Sequence, residues 1–232
     1  IVNNWIYPID KGYVLIDTGY ESGFAHFKKQ LAKMQIAPQQ IRYIFLTHAH
    51  DDHAGYLNEV LSECPDLQIV MSDKALERLY RGQNSFHGGC TTKIALFFCY
   101  LMKFVGKGKH LFPSIKQEYQ CRCIQVTEQN RKQVELLLQG KIIDTPGHTA
   151  DSISLLLNDG SLFCGDAAMN GLPSLHRITI WAEDKTAFLK SWETIIALRP
   201  NLIYPGHGKP FEYEDLKINL KRAKNMELLP IQ

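Results

Sequence analysis

Apolar residues in the first half of the chain follow two different periods. Two β-rich runs flank Asp10-Lys11-Gly12 and predict a β-hairpin over residues 5–19. Apolar residues at positions 24, 27, 31 and 34 recur at helical spacing, and Pro38 lies beyond the predicted end of that helix. The runs at 41–47 and 67–72 predict strands, with helices expected at 56–63 and 74–80. This half therefore predicts a mixture of strands and helices.

The second half repeats this alternation and adds another hairpin. Residues 141–148 (KIIDTPGH) predict a strand that ends in a histidine loop, and residues 153–166 predict a hairpin about Asp159-Gly160. Residues 184–198 predict an amphipathic helix with Asp184 as its N-cap, followed by a strand in LIYPGHG at 202–208. The hairpins argue against a purely parallel doubly wound sheet. An α/β fold of two packed sheets with helices outside suits the pattern better.

Composition narrows the class of protein. The chain has 232 residues, of which 45% are apolar and 22% are charged, as in ordinary globular proteins. The net charge of +2 and the scattered lysines and arginines give no reason to expect a nucleic-acid partner. The six cysteines are predicted to be reduced thiols of a cytoplasmic protein, because a chain of this size can bury a core without disulfides.

Histidine and aspartate are crowded at residues 47–55, which read THAHDDHAG. Imidazole and carboxylate are common metal ligands, and three later fragments (TPGH, CGDA and PGHG) each end a predicted strand with a further histidine or aspartate. The candidate ligands are His48, His50, Asp52, His53, His148, Asp166 and His207. Seven ligands exceed the needs of one tetrahedral zinc but suit two metals that share a carboxylate. Asp51 is interpreted as solvent-facing or structural.

These motifs resemble the signature of the metallo-β-lactamase-fold superfamily, a histidine–x–histidine–x–aspartate–histidine loop followed by later ligands in the same order. The matching motifs run from about residue 14 to residue 210, and Asp17 in LIDTG matches an early aspartate with a supporting role. The resemblance implies an αβ/βα sandwich of two mixed sheets. It implies that His48, His50 and His148 hold one metal. It further implies that Asp52, His53 and His207 hold the second metal, with Asp166 bridging both.

The resemblance also implies hydrolytic chemistry. Two divalent ions, predicted to be zinc with iron or manganese as alternatives, would share a hydroxide that attacks the substrate, while Asp52 holds or relays a proton. In having an aspartate at position 166, the chain is similar to thioesterases of the glyoxalase II type, lactonases and phosphodiesterases rather than to true β-lactamases. A small ester, thioester or lactone is therefore the predicted substrate. A phosphodiesterase and an iron-binding redox or sensor protein are the alternatives.

Residues 81–126 depart from this pattern and predict a helical insertion in a single domain spanning residues 1–232. Within the insertion, residues 94–105 are almost entirely apolar. The favoured interpretation of this apolar run is a helix that is buried in the domain or forms a homodimer contact. The second interpretation is a hydrophobic lid over the metals. Membrane-surface contact helped by Lys103, Lys107 and Lys109 is weaker, so no membrane partner is expected. No role is predicted for His26, His87 and His110, and substrate contact by His176 is the less favoured interpretation.

Overall fold

The computed structural model describes residues 2–106 and 108–231, so Lys107 lies outside the described residues. The strands are β1 (Trp5–Ile9), β2 (Gly12–Ile16), β3 (Ile41–Phe45), β4 (Gln68–Ser72), β5 (Gly89–Cys90), β6 (Cys123–Val126), β7 (Gly140–Asp144), β8 (Ile153–Leu157), β9 (Ser161–Gly165), β10 (Trp181–Ala182) and β11 (Leu202–Pro205). The α-helices are α1 (Phe24–Lys33), α2 (Leu57–Glu63), α3 (Ala75–Arg81), α4 (Lys93–Phe104), α5 (Arg131–Leu138), α6 (Lys185–Leu198) and α7 (Glu214–Lys224).

The described residues form two compact units. The N-terminal unit comprises Val2–Asn84 and Leu111–Gln139. The C-terminal unit comprises residues 85–106, 108–110 and 140–231. The single domain with an insertion at 81–126 stays a prediction.

The N-terminal unit is built on a five-stranded mixed sheet in the order β1-β2-β3-β4-β6. Strands β1 and β2 form the predicted hairpin, with Ile9 opposite Gly12 at the turn. The remaining neighbours are parallel. Apolar side chains of the sheet pack with those of the helices, for example Ile44 with Leu31 and Leu61 in one buried cluster. This burial drives the folding of the unit, since removing apolar surface from water is the main favourable term.

The C-terminal unit contains a four-stranded sheet in the order β11-β9-β8-β7 and a short β10-β5 ribbon. The predicted hairpin at 153–166 forms as β8 and β9. In the core of this unit, Leu162 and Ile203 of the sheet lie in one buried cluster with Trp192 of α6. The Asp184 carboxylate accepts hydrogen bonds from the backbone N–H groups of Thr186 and Ala187, which confirms it as the N-cap of α6.

Two features of the segment at 81–126 differ from expectation. Its last residues form β6, which pairs with β4 as the edge strand of the five-stranded sheet. Helix α4 forms within the apolar run, but the interpretation of a buried helix is wrong. Only Ala95 is buried in this helix, whereas Phe97 is 71% exposed and Phe104 is 89% exposed. No described helix is both long and apolar enough to cross a bilayer.

Candidate metal centre

The parallel pairing of β2 with β3 positions the first group of polar residues. Ile16 lies opposite Phe45 at the carboxyl ends of these strands. Asp17 follows β2 and Thr47 follows β3 by two residues, so both side chains emerge at the same edge of the sheet. The backbone N–H of Asp17 donates to the Phe45 carbonyl at 3.1 Å, which extends the ladder to this point.

The histidine loop, residues 47–53, gathers four of the predicted ligands within the N-terminal unit. The ring centroid of His48 lies 4.7 Å from that of His50 and 4.1 Å from that of His53. The Asp52 Oδ1 atom lies 3.8 Å from Nε2 of His53. The three histidines are almost fully buried, and Asp52 exposes 9% of its surface. A turn after β3 therefore converts a local sequence motif into a dense group of nitrogen and oxygen donors.

The buried carboxylate of Asp17 organises this loop. Its Oδ1 atom accepts from the backbone N–H of Thr47 at 2.7 Å, and its Oδ2 atom accepts from the Thr47 hydroxyl at 2.8 Å. Oδ2 also lies 2.8 Å from Nδ1 of His53. Because a carboxylate only accepts hydrogen bonds, Nδ1 of His53 carries the proton and Nε2 keeps its lone pair for a metal.

The Thr47 hydroxyl transmits the same constraint to His48. A hydroxyl has one proton, and that of Thr47 is donated to Asp17. The 3.0 Å contact between Thr47 Oγ1 and His48 Nδ1 is therefore donated by the ring, which again leaves the lone pair on Nε2. One aspartate thus sets the tautomer of two predicted ligands, directly for His53 and through Thr47 for His48.

Asp51 has a different environment from the neighbouring Asp52. Its backbone N–H donates to Oδ1 of Asn84 at 2.8 Å, and Nδ2 of Asn84 donates back to Asp51 Oδ1 at 2.8 Å. This reciprocal pair agrees with the structural interpretation of Asp51.

The second group of predicted ligands lies in the C-terminal unit. Strands β7 and β9 both pair antiparallel with β8, and β11 pairs parallel with β9, so β7, β9 and β11 run in one direction. His148, Asp166 and His207 each follow the carboxyl end of one of these strands. The sheet topology therefore delivers all three to one edge.

The distances within this group suit a shared carboxylate. The Asp166 Oδ2 atom lies 3.7 Å from Nε2 of His148 and 3.5 Å from Nε2 of His207. Nδ1 of His148 lies 2.8 Å from the Trp181 carbonyl oxygen and 3.1 Å from Thr179 Oγ1. A carbonyl can only accept, so His148 also has its proton on Nδ1 and its lone pair on Nε2.

The donor atoms of both units fit a divalent transition metal. Imidazole nitrogen and carboxylate oxygen suit zinc, iron and manganese. Two ligand atoms at about 2.1 Å from one tetrahedral ion are about 3.4 Å apart, close to the spacing around Asp166. The anchoring of Nδ1 by a carboxylate or carbonyl is the usual arrangement for histidines that bind metal through Nε2.

Sequence reasoning missed several residues that position these ligands. Thr47, beside the first histidine, could have been found from its place in the motif. The Trp181 carbonyl and Thr179 could not, because they are more than 30 positions from His148 along the chain. Among the other histidines, His176 is exposed in the loop after Asp166, and no structural feature assigns it a role.

Comparison with known proteins gives the same family as the motifs. The family model described as the metallo-beta-lactamase superfamily matches residues 1–207. The beta-lactamase-like protein 2 homolog of Drosophila melanogaster is 26% identical over 221 residues, covering 93% of this chain and 63% of that protein. The chain thus spans less than two thirds of the length of that relative.

Two further comparisons extend the likeness. A protein of Methanocaldococcus jannaschii named a probable metallo-hydrolase is 29% identical over 207 residues, covering 87% of this chain and 85% of that protein. The crystal structure of TTHA1623 in a di-iron-bound form matches with a TM-score of 0.62 at 19% identity, covering 94% of this chain and 91% of that one. At this identity the structural likeness shows the fold alone, and it confirms the predicted fold class.

Proposed function

This chain belongs to the metallo-β-lactamase superfamily, and from that membership we propose that it is a metal-dependent hydrolase with a dinuclear centre. The order of ligands in the family assigns His48, His50 and His148 to one ion. It assigns Asp52, His53 and His207 to the other, with Asp166 shared. When bound, such ions activate water and polarise the oxygen of the substrate.

The observation that carries this proposal is the common tautomer of three predicted ligands. His48, His53 and His148 each have Nδ1 held by an acceptor, which leaves Nε2 as the ligating nitrogen. Histidines that serve only packing have no need of one shared tautomer. The near-equal distances from Asp166 Oδ2 to two histidines support a role for this carboxylate as a shared ligand.

The protein side chains have distinct parts in the proposed chemistry. Asp17 and Thr47 orient the rings of His53 and His48 and leave the lone pair on Nε2 of each ring. Asp52 keeps part of its carboxylate exposed, so it can bind metal and also hold a proton taken from water. The proposed substrate is a small ester, thioester or lactone, on the basis of the aspartate at position 166.

Metal analysis tests the centre. The chain would be freed of metal and then loaded separately with zinc, ferrous iron and manganese; the di-iron form of TTHA1623 makes iron a necessary arm. We expect about two equivalents per chain with the preferred ion, since seven ligands suit two ions. Less than about one equivalent with all three metals would refute the proposal.

Adjacent aspartates provide matched variants for this experiment. Asp52→Asn should lower metal content and abolish turnover, because it removes a proposed ligand. Asp51→Asn should keep both metals, because Asp51 bonds to Asn84. Equal metal content and turnover in the two variants would show that the assignment within the loop is wrong.

A substrate panel separates the proposed activity from its alternatives. A thioester, a lactone and an aryl phosphodiester would be assayed with the loaded chain, and the acyl substrates should be cleaved faster. Preferential cleavage of the phosphodiester would identify a phosphodiesterase. An oxygen-dependent spectral change of the iron-loaded chain without hydrolysis of any substrate would instead identify a redox protein.

A further inference from the structure

Helix α4 has an apolar face that is exposed over its whole length. Ile94, Phe97, Leu101 and Phe104 lie at helical spacing and are 51%, 71%, 47% and 89% exposed. Val105, directly after the helix, is 55% exposed. Single exposed apolar residues are common on protein surfaces, but a contiguous group of this kind marks an interaction surface.

The distribution of residues around the helix shows that this face is separate from the one used for packing. At about 100° per residue, the exposed apolar positions, including Tyr100, fall within an arc of roughly 140°. Ala95, the buried residue of the helix, lies on the opposite side together with the half-buried Cys99 and Met102. The helix therefore packs through the side that carries Ala95 and exposes the side that carries Phe97 and Phe104.

The segment that contains this helix carries charge of one sign. Residues 85–110 contain four lysines, at positions 93, 103, 107 and 109, and no aspartate or glutamate. The chain as a whole has a net charge of only +2, so the remainder carries a net negative charge. Lys93 and Lys103 are exposed near the two ends of α4, and Lys109 is exposed shortly after it.

This combination decides between the possible occupants of the apolar face. A symmetric dimer through α4 would place the face against itself and bring lysines of the two copies together, which is unfavourable. An anionic lipid surface instead complements the lysines and accepts the aromatic side chains. We propose that α4 docks in the plane of an anionic membrane, with Phe97 and Phe104 inserted and the flanking lysines at the headgroups.

Vesicle sedimentation tests this docking with the full chain. Vesicles of phosphatidylcholine alone would be compared with vesicles containing phosphatidylglycerol, at low and high salt. We expect the chain to sediment with the anionic vesicles and to be released by salt, because lysine–lipid attraction is screened within a Debye length. No sedimentation with anionic vesicles, or equal sedimentation with both compositions, would overturn the proposal.

Surface variants assign the docking to this helix. Phe97→Asp with Phe104→Asp should weaken vesicle binding by about tenfold or more, because both aromatic contributions are lost. Lys93→Gln with Lys103→Gln should weaken it on the order of 30-fold at low salt. Ile218→Asp on α7 is the matched control, since Ile218 is 73% exposed, close to the 71% of Phe97, but lies on a different helix. This variant should bind vesicles like the unaltered chain.

Sedimentation velocity without lipid completes the test. A monomer that binds anionic vesicles supports the proposal. A dimer that dissociates in the Phe97→Asp, Phe104→Asp variant would show that a second copy covers the face and would overturn it. Unchanged vesicle binding by that variant would equally overturn it, and circular dichroism verifies that the variant is folded.

Discussion

Asp17 shows how one buried side chain can orient several proposed ligands. Its carboxylate accepts from both the backbone and the hydroxyl of Thr47 and from Nδ1 of His53. Asp17→Asn is close in shape, but an amide has only one acceptor oxygen. It therefore cannot accept from both the backbone N–H of Thr47 and Nδ1 of His53, which lie at different oxygens of Asp17. We expect a loss of about 10–100-fold in metal affinity, measured by competition with a coloured chelator.

A control for this variant separates orientation from folding. Asn84→Ala removes the side chain that forms two hydrogen bonds with Asp51 in the same loop. It leaves the hydrogen bonds that set the tautomers of His48 and His53 unchanged. Asn84→Ala should lower the free energy of unfolding but leave the metal affinity close to that of the unaltered chain. Equal metal affinity of Asp17→Asn and the unaltered chain would contradict the role of Asp17.

The cysteines differ in reactivity for reasons that the structure gives. Burial raises the pKa of Cys123 to about 11. The hydrogen bond donated by Cys90, with its Sγ 3.4 Å from that of Cys99, lowers the pKa of Cys99, and the charge of His110 lowers it further. Both Cys99 and Cys123 are half-buried, so access to reagent is comparable.

Alkylation at different pH values should distinguish these two thiols. Below a pKa of about 11, the thiolate fraction of Cys123 rises about tenfold for each pH unit, so its labelling should accelerate steadily from pH 7 to 10. Cys99, with a lowered pKa, should label faster at pH 7 and level off earlier. Peptide mass spectrometry measures both rates, and identical pH profiles would contradict the prediction.

At the scale of elements, tight turns bring the proposed ligands to the ends of the strands. Gly147 precedes His148 with a φ of +133°, and a Cβ atom there would lie 2.3 Å from both the backbone N and Cα of Phe188 in α6. This close approach fixes the path of the loop from β7 over the start of α6. Only glycine satisfies both the backbone conformation and the space.

Gly147→Ala should therefore destabilise the chain strongly. We expect the free energy of unfolding to fall by about 3 kcal/mol or more, from backbone strain and overpacking together. Gly106→Ala is the matched control, because its φ is +80° but nothing lies within 4 Å of the added Cβ. Urea denaturation should show a loss of about 1 kcal/mol there, and equal losses would show that the contact with Phe188 is unimportant.

At the scale of the whole molecule, the proposed ligands are divided between two compact units. Bound metal would stabilise the native state of both by mass action, by about 4 kcal/mol at a thousandfold excess over Kd. Removal of metal by a chelator should lower Tm on the order of 10 °C for a chain of this size. Differential scanning calorimetry measures this shift.

Variants in each unit test the division of ligands. His50→Ala in the N-terminal unit and His207→Ala in the C-terminal unit should each reduce the effect of the chelator on Tm. His26→Ala, at an exposed position on α1, should leave it unchanged. A full chelator effect in either ligand variant would show that the substituted histidine is not a metal ligand.

Much of this protein was predictable because the relevant interactions are local. Hydrophobic periodicity located the first hairpin, α1, α6 and the strands that precede each candidate ligand, since these elements depend on neighbouring residues. Helices α5 and α7 were not predicted, and the short strands β5 and β10 pair across about 90 positions. Pairing between two such distant two-residue strands depends on the tertiary fold, so the sequence of either segment alone does not predict it.

The sequence by itself determined the family and the set of candidate ligands, because metal chemistry demands particular donor atoms at close spacing. Only the tertiary structure decided which ring nitrogen of His53 and His148 is held, because Asp17 and the Trp181 carbonyl are more than 30 positions away along the chain. For His48 the partner is the adjacent Thr47, but the direction of that hydrogen bond depends on the distant Asp17. It also decided that the apolar face of α4 is exposed. Periodicity records which side chains are apolar, whereas their burial depends on what the rest of the chain packs against them.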